Sequence, residues 1–165
     1  MLPCASVTVT RSAARSSRSH NRFVIAYTAL DVANWYIGQP DKTIEGADTA
    51  IRLSPRDPNL WAFYHQKGLA YSMLKDGAQA IEWYRQAIAL APQFPLSQAC
   101  LAAELALSGQ DAEAHEMLQR YLSLRGTRAR TIAELKRIGS SDNPVFLATS
   151  ERFAEGLRKA GIAEE

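Results

Sequence analysis

The stretch Trp61-Ala62-Phe63-Tyr64-His65-Gln66-Lys67-Gly68-Leu69-Ala70-Tyr71 decides the architecture of this chain. Trp61, Tyr64, Gly68 and Tyr71 recur at intervals of three and four, which draws one stripe along a helix. Asp57 is placed to cap that helix, and Pro58 suits its first turn. Asp76-Gly77 breaks the pattern. A second run then puts Ala80, Ile81, Tyr84, Ala87 and Ile88 on one face. It stops before Pro92, whose ring would clash with the preceding turn. Two amphipathic helices joined by a tight turn make an αα-hairpin.

The order of small and large side chains says more. Gly68 allows a neighbouring helix to approach closely, Tyr71 fills the space beside it, and Ala80 is small where the two helices cross. Tyr84 and Ala87 face the next unit, and Pro92 sets the turn into it. This succession of Gly68, Tyr71, Ala80, Tyr84, Ala87 and Pro92 resembles the tetratricopeptide repeat. Lys67 departs from it, standing where the family usually has an apolar residue; its aliphatic stem still suits packing.

One repeat period further on stand Ala102, Leu105, Ala114, Leu118 and Tyr121, so the small–large order survives with Leu replacing two aromatics. Backwards, Ala50-Ile51-Arg52-Leu53-Ser54-Pro55 echoes Ala87-Ile88-Ala89-Leu90-Ala91-Pro92. There Asp31, Asn34 and Thr43 replace Gly, an aromatic and Ala, as a degenerate terminal repeat would. The expected fold is all-α: a TPR-type antiparallel helix-pair solenoid of about three repeats with C-terminal capping helices. The repeats are expected over 22–126 and the caps over 127–165. The individual helices are expected at 22–37, 41–54, 58–74, 77–90, 95–107, 111–124, 128–138 and 145–160.

In the last of these, Phe146, Phe153, Leu157 and Ala160 share a face, which suits a helix that covers the open end of the solenoid. Asn143-Pro144 starts it and Gly161 stops it. Thr131-Ile132-Ala133-Glu134 has the spacing of a capping box.

A second resemblance covers roughly Phe23 to Glu165. Leu53-Ser54-Pro55-Arg56-Asp57-Pro58, the pair around Ala80 to Pro92, and Glu155-Gly156-Leu157-Arg158-Lys159-Ala160-Gly161 are together similar to the C-terminal repeat region of bacterial class III adenylate/guanylate cyclase-like proteins. That resemblance implies a regulatory or scaffolding region that normally follows a catalytic or DNA-binding domain. It carries over no catalytic residue. It implies a truncated regulatory region acting in trans as one alternative function.

Residues 1–21 are rich in Arg and Ser, and no Asp or Glu occurs before Asp31. They read as a disordered basic tail, with an organellar transit peptide and a secretory signal as alternatives. Cys4 and Cys100 are too few for a disulfide framework, which favours a reducing, cytoplasmic setting. The net charge of +2 does not support a whole-protein basic field for nucleic acid. The cluster Arg125, Arg128, Arg130, Lys136 and Arg137 lacks interleaved aromatics and reads as a solvated face. The acidic run Asp41, Glu45 and Asp48 reads the same way.

Catalytic signatures are missing. No glycine-rich phosphate loop and no nucleophile elbow occurs. His115-Glu116-Met117-Leu118-Gln119 begins like a zinc-protease helix but has Gln119 where the second histidine is required. His20, His65 and His115 have no ligand partners at metal-binding spacing. No cofactor, metal, nucleic acid or membrane partner is expected, and the chain is read as a non-enzyme. An enzyme with an unrecognised site stays as the remaining alternative.

The expected function is a protein–protein interaction scaffold whose concave groove binds a partner helix or peptide. First helices line that groove, through Thr28, Val32 and Trp35, then Ala62, His65, Leu69, Ser72 and Met73, then Ala99, Ala103 and Ala106. Trp35 is the expected anchor, with burial inside the first pair as its other reading. His65 and Leu69 stand where a carboxylate clamp for chaperone tails would need cationic residues, so that binding mode is disfavoured.

Overall fold

The computed structural model describes residues 29–30, 32–124, 127, 129–137 and 141–165. Thr28, Gly126, Arg125, Arg128 and the N-terminal tail lie outside them. Residues 32–36 are helical. Seven further helices follow: α1 Pro40–Leu53, α2 Leu60–Met73, α3 Gly77–Leu90, α4 Pro95–Leu107, α5 Asp111–Ser123, α6 Ile132–Leu135 and α7 Pro144–Ala160. Among the described residues α2 pairs with α3 and α4 with α5, and α1 packs on α2.

Local chemistry sets the ends. Asp76 caps α3 by accepting from the Gln79 N–H at 3.1 Å. Pro95 occupies the first turn of α4, where its missing N–H costs nothing. Asn143 Oδ1 accepts from the N–H groups of Val145 and Phe146 at the start of α7. Gly161 closes α7 in the left-handed region, at φ 101°, where other residues are strained.

Two ends differ from expectation. Asp57 does not cap α2: its carboxylate is taken by the Asn59 N–H at 2.8 Å, and the helix begins at Leu60. The helix expected at 128–138 is a single turn, Ile132–Leu135. Its upstream backbone is extended instead, because the Ile132 and Ala133 N–H groups donate to the carbonyls of Ala163 and Glu164. Thr131 Oγ1 accepts from the Glu134 N–H at 3.2 Å, while the Glu134 carboxylate turns to the Arg130 N–H, so only half of a capping box forms.

Inside the second pair, a Cβ on Gly68 would lie 2.5 Å from Cε1 of Tyr84. The tyrosine ring therefore sits flat against a helix that has no side chain there. Tyr84 is fully buried, with its hydroxyl 3.2 Å from Ser72 Oγ. It takes the place expected for Tyr71, which is only half-buried, because a second-helix ring reaches across the pair while Tyr71 lies a turn further along α2. Ala80 and Ala87 are buried on the same seam. In the third pair Ala102, Leu105, Ala114, Leu118 and Tyr121 are all buried, whereas Pro92 is exposed in the turn between pairs.

Lys67 is 5% exposed. Its stem is covered, and its ammonium lies 2.6 Å from Asp48 of α1 and 3.6 Å from the centroid of the Trp83 ring. The charge is thus held at a rim by one carboxylate and one aromatic face.

Candidate helix-binding face

α7 is expected to cover the open end of the solenoid. The structure places it against the third pair and extends it along the first helices to the first pair. It packs chiefly on α4, then on α5, and touches α2 and α6. Its N-terminal end reaches the first pair. There the Phe146 ring stacks on Tyr36 at 5.2 Å and meets Trp35 edge-on at 5.5 Å. Phe153 approaches the same Trp35 ring at 6.2 Å. Ser141 Oγ donates to the Tyr36 carbonyl at 2.7 Å, and Asn143 Nδ2 donates to the Ile37 carbonyl at 2.9 Å. With 17 residues, α7 is about 25 Å long, enough to bridge first and third helices spaced at ordinary packing distances.

The sequence of α7 explains why it lies there. Phe146, Thr149, Ala154, Gly156, Leu157 and Ala160 are buried, while Val145, Leu147, Ala148, Glu151, Glu155 and Lys159 are exposed. Gly156 meets the backbone of α4: a Cβ there would fall 2.5 Å from the Ala103 carbonyl oxygen and 2.8 Å from its Cα. Ala103 is itself buried, so two small residues let the helix backbones come together. At the C-terminal end His115 Nδ1 lies 3.2 Å from the Ala160 carbonyl.

A charge pair sits within this contact. Glu104 of α4 is 0% exposed, and Arg152 of α7 engages both its carboxylate oxygens through the two terminal guanidinium nitrogens, Nη2 at 2.7 Å. The hydrogen bonds that Arg152 donates to Glu104 hold its guanidinium above its ordinary range. Two parallel N–H···O bonds make this the strong, geometrically demanding form of an ion pair.

The expected groove residues divide accordingly. Val32 is exposed. Trp35 is half-buried, and its ring meets Phe146 and Phe153 of α7. Leu69 is half-buried against the core. Ala62, His65, Ser72 and Met73 are buried and line no open groove. The reason is that α2 is covered by α1, α3, α4 and α7 together. Ala99, Ala103 and Ala106 are buried as well. His65 packs edge-on against Phe94 and lies 3.0 Å from Ser97 Oγ, and burial lowers its pKa to about 4. It is therefore a neutral imidazole satisfied by a hydroxyl. Burial likewise pushes the Cys100 thiol up to about 12, which leaves it a poor nucleophile.

Glu104, Arg152 and Gly156 are the residues that motif reading passes over. Each carries a faint signal. Glu104 is the lone charge in the helix Pro95–Leu107, and Gly156 is a glycine inside a helix, which costs stability unless something approaches closely.

Elsewhere, a shallow depression of about 500 Å³ lies along one face of α1, lined by Asp41, Ile44, Glu45, Asp48, Thr49 and Arg52. All these residues come from one helix, so no second element brings groups toward a substrate there. Among the described residues no three His, Cys, Asp or Glu groups gather as metal ligands, and no helix is long and apolar enough to cross a membrane.

Residues 61–94 match the tetratricopeptide repeat family. The crystal structure of MamA is similar in fold: its TM-score is 0.55 over 96% of this chain and 94% of that chain, at 18% identity. A search of curated proteins found no significant match. The chain is an all-α, TPR-type helix-pair solenoid, an architecture that serves protein–protein interaction in general.

Proposed function

We propose that this chain is an interaction scaffold that receives a helical segment of a partner protein on the side formed by its first helices. The observation that carries this reading is α7 itself. That side already holds an amphipathic helix, seated by stacked aromatics at one end and by close backbone contact further along. A surface that accepts one such helix has the shape and polarity to accept another. The scaffold does no chemistry of its own on this reading. Its partly buried thiol and its buried imidazole are neutral.

The resemblance to the repeat region of class III cyclase-like proteins supports a regulatory setting for the same activity. One of the segments carrying it, Glu155 to Gly161, belongs largely to the seated helix. Catalysis would then reside in another polypeptide, with this chain acting in trans.

The test is direct. A fluorescent peptide of residues 143–161 is titrated against the full chain carrying Phe146→Ala, which loosens its own α7 at the stacked end. Saturable anisotropy change is expected, and a scrambled peptide of equal composition should give none. Equal behaviour of the two peptides sinks the proposal.

A further inference from the structure

We propose that Glu104 is the selectivity element of this face, and that the partner helix it admits carries an arginine with a glycine four residues later. This rests on the helix-receiving function proposed above and specifies its partner.

The argument starts from the cost of an unpaired buried charge. Glu104 is fully buried on α4, between Ala103 and Leu105, which are buried too. Among the described residues its ion-pair partner is Arg152, which α7 supplies from 48 positions away. When α7 leaves, the carboxylate has lost that partner, and an occupant helix that brings no cation keeps it desolvated without compensation. A helix that brings one restores the pair. Arginine suits the site better than lysine, because both carboxylate oxygens are engaged at once by a planar fork, whereas an ammonium is a point donor.

The second requirement follows from the backbone. Residues four apart share a helix face. Position 156 follows 152 by that interval and lies where a Cβ would sit 2.5 Å from the Ala103 carbonyl oxygen. A glycine fits there without displacement, whereas any side chain, alanine included, would run into the α4 backbone. The third feature is an aromatic residue near the N-terminal end, where Phe146 stacks on Tyr36. The partner is thus a helix with one arginine and one glycine on an otherwise largely apolar face, and it enters in exchange for α7, which fills the same space with the same pattern.

The experiment uses the full chain bearing Phe146→Ala as host, with labelled peptides of residues 143–161. The parent peptide, an Arg152→Lys form and an Arg152→Ala form are titrated at equal ionic strength. Loss of the arginine is expected to weaken binding about tenfold or more, with lysine between. Adding Glu104→Gln to the host should bring the parent and Arg152→Ala peptides to within about twofold of each other, since the carboxylate that distinguishes them is gone. If the Phe146→Ala host loses its helical circular dichroism, the Arg152→Ala chain replaces it, because that change loosens α7 from the rim and alters no residue of the receiving face. Equal binding of parent and Arg152→Ala peptides to a Glu104 host overturns this inference and leaves the helix-receiving function standing. Absence of binding by every peptide overturns both.

Discussion

Replacing Gly68 by alanine tests the packing rule on which the solenoid depends. The added Cβ would stand 2.5 and 2.6 Å from Cε1 and Cδ1 of Tyr84, where unstrained carbons keep about 3.5–4.0 Å. The ring has to retreat by about 1 Å. It has little freedom to do so, being fully buried, with its hydroxyl against Ser72 and the His65 ring at 5.7 Å. Overpacking of this kind costs about 1–3 kcal/mol, and the upper half of that range suits a pinned ring. Alanine also gains about 1 kcal/mol over glycine as a helix former. The net expectation is a loss of about 1–2 kcal/mol, or roughly 3–6 °C in Tm for a chain of this size.

The third pair already contains the compensated solution. One period on from Gly68 and Tyr84 stand Ala102 and Leu118, both buried. Tyr84→Leu alone should cost about 2–3 kcal/mol through lost volume and an unpartnered Ser72 hydroxyl. Gly68→Ala with Tyr84→Leu should then be more stable than the sum of the single losses by about 1 kcal/mol or more, since the two residues touch. Urea unfolding followed by far-UV circular dichroism measures all four corners of the cycle. If Gly68→Ala is stabilising, as helix propensity alone demands, or if the double variant is simply additive, the close-approach reasoning is wrong.

Lys67 and His65 provide two further tests. Lys67→Met keeps the buried stem and gives up a pair whose Asp48 side is 56% exposed, so stability should stay within about 1 kcal/mol, whereas Lys67→Ala should cost about 2 kcal/mol more; parallel urea titrations compare them. His65 is neutral in the fold, with a pKa lowered to about 4 from 6.5, so the unfolded chain binds its proton first as the solution is acidified. Its contribution is intact above pH 6.5 and is lost progressively down to about pH 4, to an extent of about 3 kcal/mol. His65→Gln keeps a polar partner for Ser97 and should flatten that part of the pH–stability curve; an unchanged curve would contradict the assignment.

The sequence of the second pair is unusually legible because local and tertiary demands coincide there. Gly68, Ala80 and Ala87 are small at one seam, Asp76 and Pro92 punctuate its helix ends, and the helix bounds at Gly77–Leu90 and Pro95–Leu107 agree with those read from the pattern. The post-repeat segment is less legible. Thr131 does cap a helix, but only a single turn, and the Ile132 and Ala133 N–H groups donate to the carbonyls of Ala163 and Glu164 rather than to a preceding turn. The groove residues were the least legible. Ala62, His65, Ser72 and Met73 follow a face that is open in an idealised repeat, and here other helices cover it.

From the chain alone come the helices, their pairing and the apolar stripe of α7, since periodicity, caps and the small–large order act between residues within a turn or a repeat of one another. The tertiary structure decided which surface that stripe covers. Phe146 on Tyr36, Gly156 on Ala103 and Arg152 on Glu104 join residues far apart in sequence, and an amphipathic pattern states only that one face must be buried, not against what. The path of α7 from the third pair along the first helices falls to backbone approach and to a buried carboxylate that requires a cation.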